Sequence, residues 1–555
     1  MIPASQQGGR KVVATFDVKN AFNSTRRDAI HRKLSMMGAS ALYLLEFFKF
    51  MYGSQSDIYI QAQKEVEKYR SATGVRQGDL PASLLFSLVF TDAAINAAVS
   101  AGLATADALL DKLWLYLDDV TLVETVPKII KYKIELDVGL GDIGLGFNMP
   151  KCRVLADRCT DKEIAQLLAA GFQIDLGCTR VLGSPVGTPE ACREWVLRKV
   201  HGWQSFWEKL RLPDLHPSTA LTILKTCGNV KFEHLGKSLS AEVVMEGARR
   251  FDAMVEDTAL AILQIKHSQV DTHVVRAVLQ LMPYAVITQQ LYENTCNLLV
   301  GIHEPLNVAI RSTIVQHYEK LSLPPFVGLL VRDAQSYGAS LAITPTTSVP
   351  AHEFIHGVQL RCGVAEKRIP VTCSCLHKFE NEPVDRNGHL LTCPHNEGFN
   401  KTCRHHLINH AIGWTLSTFH LWSTVEPTYL SSVLRPDRHI AGQKGSIIDV
   451  TCVDPVLARD PDHLERAAIS KHGKYDALAE LHSIDFFPVV ISVYGEIHAD
   501  TFRCIRQWAK ALNQHLRKDF CREMLINIQH ALLRGNAKVA DEAVNRLSHR
   551  NDSWW

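Results

Sequence analysis

The sequence predicts an α+β multidomain protein. Three observations lead there. Residues 11–190 alternate apolar β-rich runs with helical stretches, residues 190–345 read as mostly helical, and residues 411–530 return to strands and helices. At 555 residues the length prior gives roughly three or four domains. A hydrophobic content of 46% is enough for packed cores.

The first strand is Val12-Val13-Ala14-Thr15-Phe16, ending at Asp17. Helical stretches follow over Arg26–Met37 and Ala39–Met51, each closed by a glycine, Gly38 and Gly53. Ile58–Ile60 and the approach to Val75 read as short strands. Thr73-Gly74-Val75-Arg76-Gln77-Gly78-Asp79-Leu80-Pro81 is a Gly-punctuated loop running into an apolar helix from Ala82. That run contains Asp92 and Asn96, which argues against a membrane span. Leu113–Val123 alternates apolar residues around Asp118-Asp119, so it reads as a hairpin with the acidic pair at its turn. Lys128–Gly139 reads as helix.

Two adjacent carboxylates at a turn can share a divalent cation, and Mg²⁺ accepts one or two carboxylates plus phosphate oxygens and water. A two-metal site for in-line phosphoryl transfer needs a third carboxylate from elsewhere in the fold. Asp17, 101 residues ahead of Asp118, is the candidate. Net charge is +2, so a nucleic-acid surface has to be a local patch. Fourteen scattered cysteines do not form a secreted disulfide framework and fit a reducing compartment. Met1–Arg10 has no apolar signal segment.

Phe16-Asp17-x-x-Asn20-Ala21-Phe22-Asn23, Gly74-Val75-Arg76-Gln77-Gly78-Asp79 and Tyr116-Leu117-Asp118-Asp119-Val120 resemble, in order, motifs A, B and C of reverse transcriptases from non-LTR retrotransposons. Gly144–Cys152 and Val181–Gly187 resemble motifs D and E. The resemblance implies a palm over residues 1–190 and a helical thumb or linker over 191–350. It implies that Asp17, Asp118 and Asp119 bind Mg²⁺ or Mn²⁺. Phe22 would stack under the incoming sugar or else serve as a core aromatic. Gln77 and Gly78 would let the backbone approach the template–nucleotide pair. Arg76 is a phosphate contact or a solvated loop arginine, and Lys151 a donor to pyrophosphate or a surface lysine. The fingers region that precedes motif A in this family is missing, since only ten residues precede Lys11. A fragment of a longer polyprotein, or a truncated gene, is expected on that ground, with polymerase activity in doubt.

Trp195, Trp203, Phe206 and Trp207 lie among Arg193, Arg198, Lys199 and Lys209. They suit either a nucleic-acid surface or a helix core with solvated charges. Apolar helix continues over Ala241–Gln264 and His273–Val300. Prolines mark a boundary near Pro350.

Residues 351–410 carry Cys373-x-Cys375, then thirteen residues, then His389-x₃-Cys393, a tetrahedral Zn²⁺ ligand set. His377, His395 and Cys403 are rival ligands. The order resembles the CCHC knuckle of restriction-like-endonuclease retrotransposons, which an Arg-His pair follows, here Arg404-His405. Downstream, Arg435-Pro436-Asp437 precedes the strand Ile447–Val453 by twelve residues from Asp437 to Asp449. The helix Ala467–Leu481 carries Lys471, Lys474 and Tyr475, and Pro488–Val493 is a buried strand. This resembles a PD-(D/E)xK-like α/β nuclease over 411–530, with Asp437 and Asp449 on Mg²⁺ and Lys471 or Lys474 near the attacked phosphate. Residues 531–555 read as a C-terminal tail.

The whole resembles the polymerase–knuckle–endonuclease half of a CRE/SLACS-like element protein. That implies target-primed reverse transcription with element RNA template, target DNA and deoxynucleoside triphosphates as partners, no membrane, and nuclear action after cytoplasmic synthesis. The alternatives are a polymerase-inactive remnant that only binds nucleic acid, or one that keeps only nuclease activity.

Overall fold

The computed structural model describes residues 10–62, 65–103, 111–299, 306–321, 331, 344, 346, 349–364, 389–391, 393, 400–442, 444–454 and 462–551. The chain divides into two compact units, Met1–Leu197 and Arg198–Trp555.

The first unit runs β1 (Lys11–Phe16), α1 (Ala21–Ser24), α2 (Arg27–Met36), α3 (Leu42–Tyr52), β2 (Ser56–Ala62), β3 (Glu65–Ser71), α4 (Ala82–Ser100), β4 (Leu113–Tyr116), β5 (Asp119–Thr125), α5 (Val126–Asp142), β6 (Arg153–Leu155), α6 (Asp161–Ala169), β7 (Gln173–Asp175), β8 (Cys178–Val181), β9 (Ser184–Gly187) and α7 (Pro189–His201). Its main sheet has the order β4-β5-β1-β6-β7. β1 is central, and Val12, Ala14 and Phe16 face a core shared with α4 and α5. α4 is the one helix among the described residues long and apolar enough to cross a membrane. Leu85, Phe86, Val89 and Phe90 instead bury it in this core, and Asp92 pairs with Lys33. α6 opens with a capping box in which Thr160 and Glu163 each accept from the other's backbone N–H.

The second unit runs α8 (Gln204–Leu210), α9 (Pro217–Ile223), α10 (Glu233–Ser238), α11 (Ala241–Ile262), α12 (Thr272–Leu279), α13 (Tyr284–Leu299), α14 (Leu306–Lys320), α15 (Ala351–Arg361), α16 (Asn400–Thr418), β10 (Ser423–Val425), β11 (Arg438–Ile440), β12 (Ser446–Val453), α17 (His463–Leu481), β13 (Asp485–Ser492), α18 (Ala499–Lys510) and α19 (Arg517–Asn551). Its sheet has the order β10-β11-β12-β13. β12 and β13 are parallel, which requires a crossover, and α17 supplies it. Ile447, Ile448 and Val450 are buried on β12, the near-continuous apolar run expected of a covered parallel strand.

One open choice is narrowed and three expectations change. The aromatic stretch at 190–210 serves packing in its second half: Trp207 is fully buried and meets Phe251 edge-on, with Phe232 and Tyr284 around it. The helix expected over His273–Val300 is two helices, because Gln280 adopts a left-handed backbone and Pro283 follows. The thumb or linker and the nuclease were expected as separate domains, yet both fall within the second unit. Gln359 donates to the Leu263 carbonyl at 2.7 Å, and Arg361 reaches Gln529. The tail expected from residue 531 belongs to a 35-residue helix whose Leu532, Leu533, Ala537, Val539 and Ala540 are buried.

The buried polar knot of the helical region is Asp252. It accepts from the Tyr284 and Ala285 amides at 3.0 and 2.8 Å, holding the start of α13, and faces Arg276 at 3.7 Å. Burial lifts its carboxyl to about 6 against the pull of Arg276 and the two amides. Asp252→Ala leaves the Tyr284 and Ala285 amides without their acceptor, while Arg276 keeps its pair with Glu256 and its bond to the residue-252 carbonyl. Chemical denaturation is expected to show a loss of about 2 kcal/mol, and a loss below about 0.5 kcal/mol contradicts the role given to Asp252.

Two candidate catalytic centres

The first centre is set by strand register. β1 and β5 are antiparallel with Phe16 opposite Val120. One step further along each strand, Asp17 comes opposite Asp119. On the other side of β5, Tyr116 pairs with Asp119, so the hairpin turn is Leu117-Asp118, with Leu117 in a left-handed backbone. Asp118 therefore sits at the turn and Asp119 opens the strand, rather than both occupying the turn.

Asp119 is exposed on β5, with protein atoms near enough to withdraw part of its carboxyl from water. This partial burial, then the negative charges of Asp118 and Asp17, raise its carboxyl above the ordinary value, while Arg180 and Lys151 pull the other way. Lys151 Nζ lies 3.7 Å from Asp17 and is 67% exposed, so it stands at the site's rim. A carboxylate held back from ionisation beside two further aspartates suits a divalent cation. Among the described residues no three His, Cys, Asp or Glu side chains converge closely enough to hold an ion alone. Phosphate oxygens would have to complete the shell, as Mg²⁺ sites commonly require.

Neighbouring segments hold Asp17 in place. Its carbonyl accepts from Asn148 N at 2.8 Å, and its amide donates to the buried Cys152 Sγ at 3.5 Å. Phe22 is half-buried and stacks on Phe86 with ring centroids 4.7 Å apart, so it serves the core while staying partly exposed. Gly74 has φ +68, and a Cβ there would meet the Asn23 backbone at 2.3 Å. That closeness, with Val75 N on Phe22 O at 2.8 Å, locks the 73–81 loop to the Asp17 segment. Gly78, φ +101, has open space where a Cβ would stand, and Gln77 beside it is exposed. Arg76 is partly exposed, pairs with Asp79 at 3.2 Å and lies over the Tyr52 ring.

The second centre repeats the register device. β11 and β12 are antiparallel with Arg438 opposite Ile448, and Asp437 N bonds Ile448 O at 2.9 Å, bringing Asp437 opposite Asp449. Asp449 is buried. It pairs with Lys471 and accepts from the Tyr475 hydroxyl at 2.7 Å. Burial and that bond push the Tyr475 phenol upward. Lys474 is exposed and donates to the Tyr475 oxygen at 2.9 Å instead of reaching a carboxylate. Of the two candidate lysines, Lys471 is the one that contacts a carboxylate directly. Asp437 Oδ2 accepts from Val450 N at 2.5 Å and lies 2.8 Å from His405 Nε2. The bond to Asp437 raises the His405 imidazole above its usual value, against the effect of burial.

Cys373 and Cys375 lie outside the described residues. His389 and Cys393 are buried one helical turn apart, with Cys393 N bonding His389 O at 2.7 Å. Sequence reasoning did not assign Arg180, His405 or Tyr475 a place at either centre. Strand alternation offered a signal for Arg180, because Thr179 turns inward to Asp175 at 2.7 Å.

Residues 3–179 match the sequence profile of the reverse transcriptase (RNA-dependent DNA polymerase) family, so the first unit carries a reverse transcriptase domain. No curated protein sequence matches the chain. Among solved structures, telomerase from Candida albicans, in complex with a TWJ fragment of telomeric RNA, aligns over 58% of this chain at 11% identity with a TM-score of 0.29. The alignment spans 51% of that telomerase chain, about half its length.

Because the folded site raises the Asp119 carboxyl, its ionised form at neutral pH costs stability that is regained as pH falls through its raised value. Asp119→Asn in chelator is expected to raise the Tm at pH 7.5, with a smaller gain at pH 4.5. An unchanged or lowered Tm at pH 7.5 contradicts carboxylate crowding. Gly74→Ala is expected to cost about 2 kcal/mol or more in chemical denaturation, and a neutral result contradicts the tight loop contact.

Proposed function

We propose that the chain is the polymerase and endonuclease portion of a non-LTR retrotransposon protein that carries out target-primed reverse transcription. The observation that carries the polymerase reading is the juxtaposition of Asp17 and Asp119 by the β1–β5 register, inside the segment that matches reverse transcriptases. Divalent ions held by Asp17, Asp118 and Asp119, Mg²⁺ or Mn²⁺, would stabilise the attacking and leaving oxygens. Lys151 at the rim meets the negative charge of the leaving pyrophosphate. The partly exposed Phe22 would lie under the incoming sugar, and the bare backbone at Gly78 would admit the base pair. Element RNA would be the template and deoxynucleoside triphosphates the substrates.

The endonuclease reading rests on Asp437, Asp449 and Lys471 meeting at one point. The two carboxylates suit an Mg²⁺ ion that supplies Lewis acidity at a DNA phosphate. Lys471 offers charge to the phosphate, and Tyr475 holds Asp449 still. Zinc in a knuckle of Cys373, Cys375, His389 and Cys393 would rest on ligand spacing alone. Action on genomic DNA would assign the protein to the nucleus. A narrower reading, nuclease without polymerase, is favoured by the hydrogen bonds and ion pairs that already link the second centre.

Primer extension on an RNA template and nicking of duplex DNA, both with Mg²⁺, separate these readings. Asp119→Ala is expected to cut extension at least about a hundredfold and spare nicking, whereas Lys471→Ala does the reverse. Nicking without extension in the unmodified protein supports the narrower reading. Absence of both overturns the proposal.

A further inference from the structure

The residues around Asp437 show a feature that neither motif spacing nor the carboxylate pair accounts for. Asp437 stands at the start of β11, where an aspartate could take several rotamers. Helix α16 grips this corner at several points. His405 Nε2 is 2.8 Å from Asp437 Oδ2. One turn later, Asn409 Nδ2 donates to the Asp437 carbonyl at 3.4 Å. Arg438 donates through Nε to Asn409 Oδ1 and through Nη2 to the Asn409 carbonyl, both at 3.0 Å. Gly413, a further turn along, leaves space that the Arg438 guanidinium fills, since a Cβ there would meet it at 2.4 Å. The Val450 amide donates to the same Asp437 Oδ2 as His405.

We propose that His405 is a positioning residue for the nuclease centre: with Val450 N it occupies Asp437 Oδ2, fixes the carboxylate's rotation, and leaves Oδ1 as the oxygen offered to a divalent cation. This rests on the nuclease reading above. It also assigns α16, which was expected to lie largely in the knuckle linker, to the catalytic layer. The geometry is that of an outer-shell partner. Such partners orient a ligand without touching the metal, and removing one typically weakens metal affinity about 10- to 100-fold. The spacing also explains why the histidine is here. Residues 405, 409 and 413 recur every four positions, so one helix face carries the imidazole, the amide and the gap for Arg438.

The test uses the full chain and needs no turnover. Mn²⁺ binding is measured by calorimetry without DNA, in the unmodified protein and in Asp449→Asn, to isolate the heat of this centre. His405→Ala is expected to weaken that binding about tenfold or more with Tm within the unmodified range. His405→Gln, whose amide can still donate to Asp437, is expected to stay within about threefold of the unmodified protein. The Mg²⁺ concentration for half-maximal nicking should shift in parallel, while nicking at saturating Mg²⁺ changes less. If His405→Ala fails to fold, His405→Asn, too short to reach Asp437, takes its place with the same expectation. Unchanged Mn²⁺ affinity in the Ala or Asn variant, beside intact Asp449-dependent binding, overturns the role of His405 alone. No Asp449-dependent binding in the unmodified protein overturns the nuclease reading and this proposal with it.

Discussion

The pairing of Phe16 with Val120 decides where two negative charges meet. Like charges directly opposite on neighbouring strands are destabilising, so the register is held by other contacts. Phe16 is buried against Tyr132, Phe147 and Phe172, and Val120 lies in the same core. A slip of β1 by one residue would turn Phe16 out of that core. The apolar face thus imposes the electrostatic cost, which adds to the larger effect of burial in raising the Asp119 carboxyl.

The second unit meets the same problem with its own cations. Asp437 and Asp449 are brought opposite each other across β11 and β12. Here Lys471 pairs with Asp449, while His405 lies beside Asp437. In the first unit the nearest pairing is the looser, exposed Lys151 at 3.7 Å from Asp17. Exposed pairs contribute little and are screened by salt. The first centre is therefore the less satisfied of the two as it stands, and a bound cation would relieve it more.

Much of this was legible in the chain. Alternation around Asp118-Asp119 located the hairpin, and the β-rich run before Asp17 located its partner, because apolar period-two runs are local signals. The turn residues were less legible, since a left-handed Leu117 has no propensity signature. The break at Gln280 was hidden because apolar spacing continues across it and the decisive contact, Asp252 on the α13 amides, is 32 residues away. His405 and Tyr475 were visible as residues but not as members of a site. Their partners lie 32 and 26 positions distant and meet them only through helix packing. The choice between Lys471 and Lys474 likewise needed the helix phase, which periodicity alone did not fix.

The account rests on one cation drawing together the end of β1 and the β4–β5 turn. Fe²⁺ placed in the divalent site, with ascorbate and peroxide, cuts the backbone close to where the metal is bound. The account predicts paired cuts near Asp17 and near Leu117–Asp119, both suppressed by excess Mg²⁺ and by Asp119→Asn. Cuts confined to one of those segments, or unchanged in the variant, would contradict it.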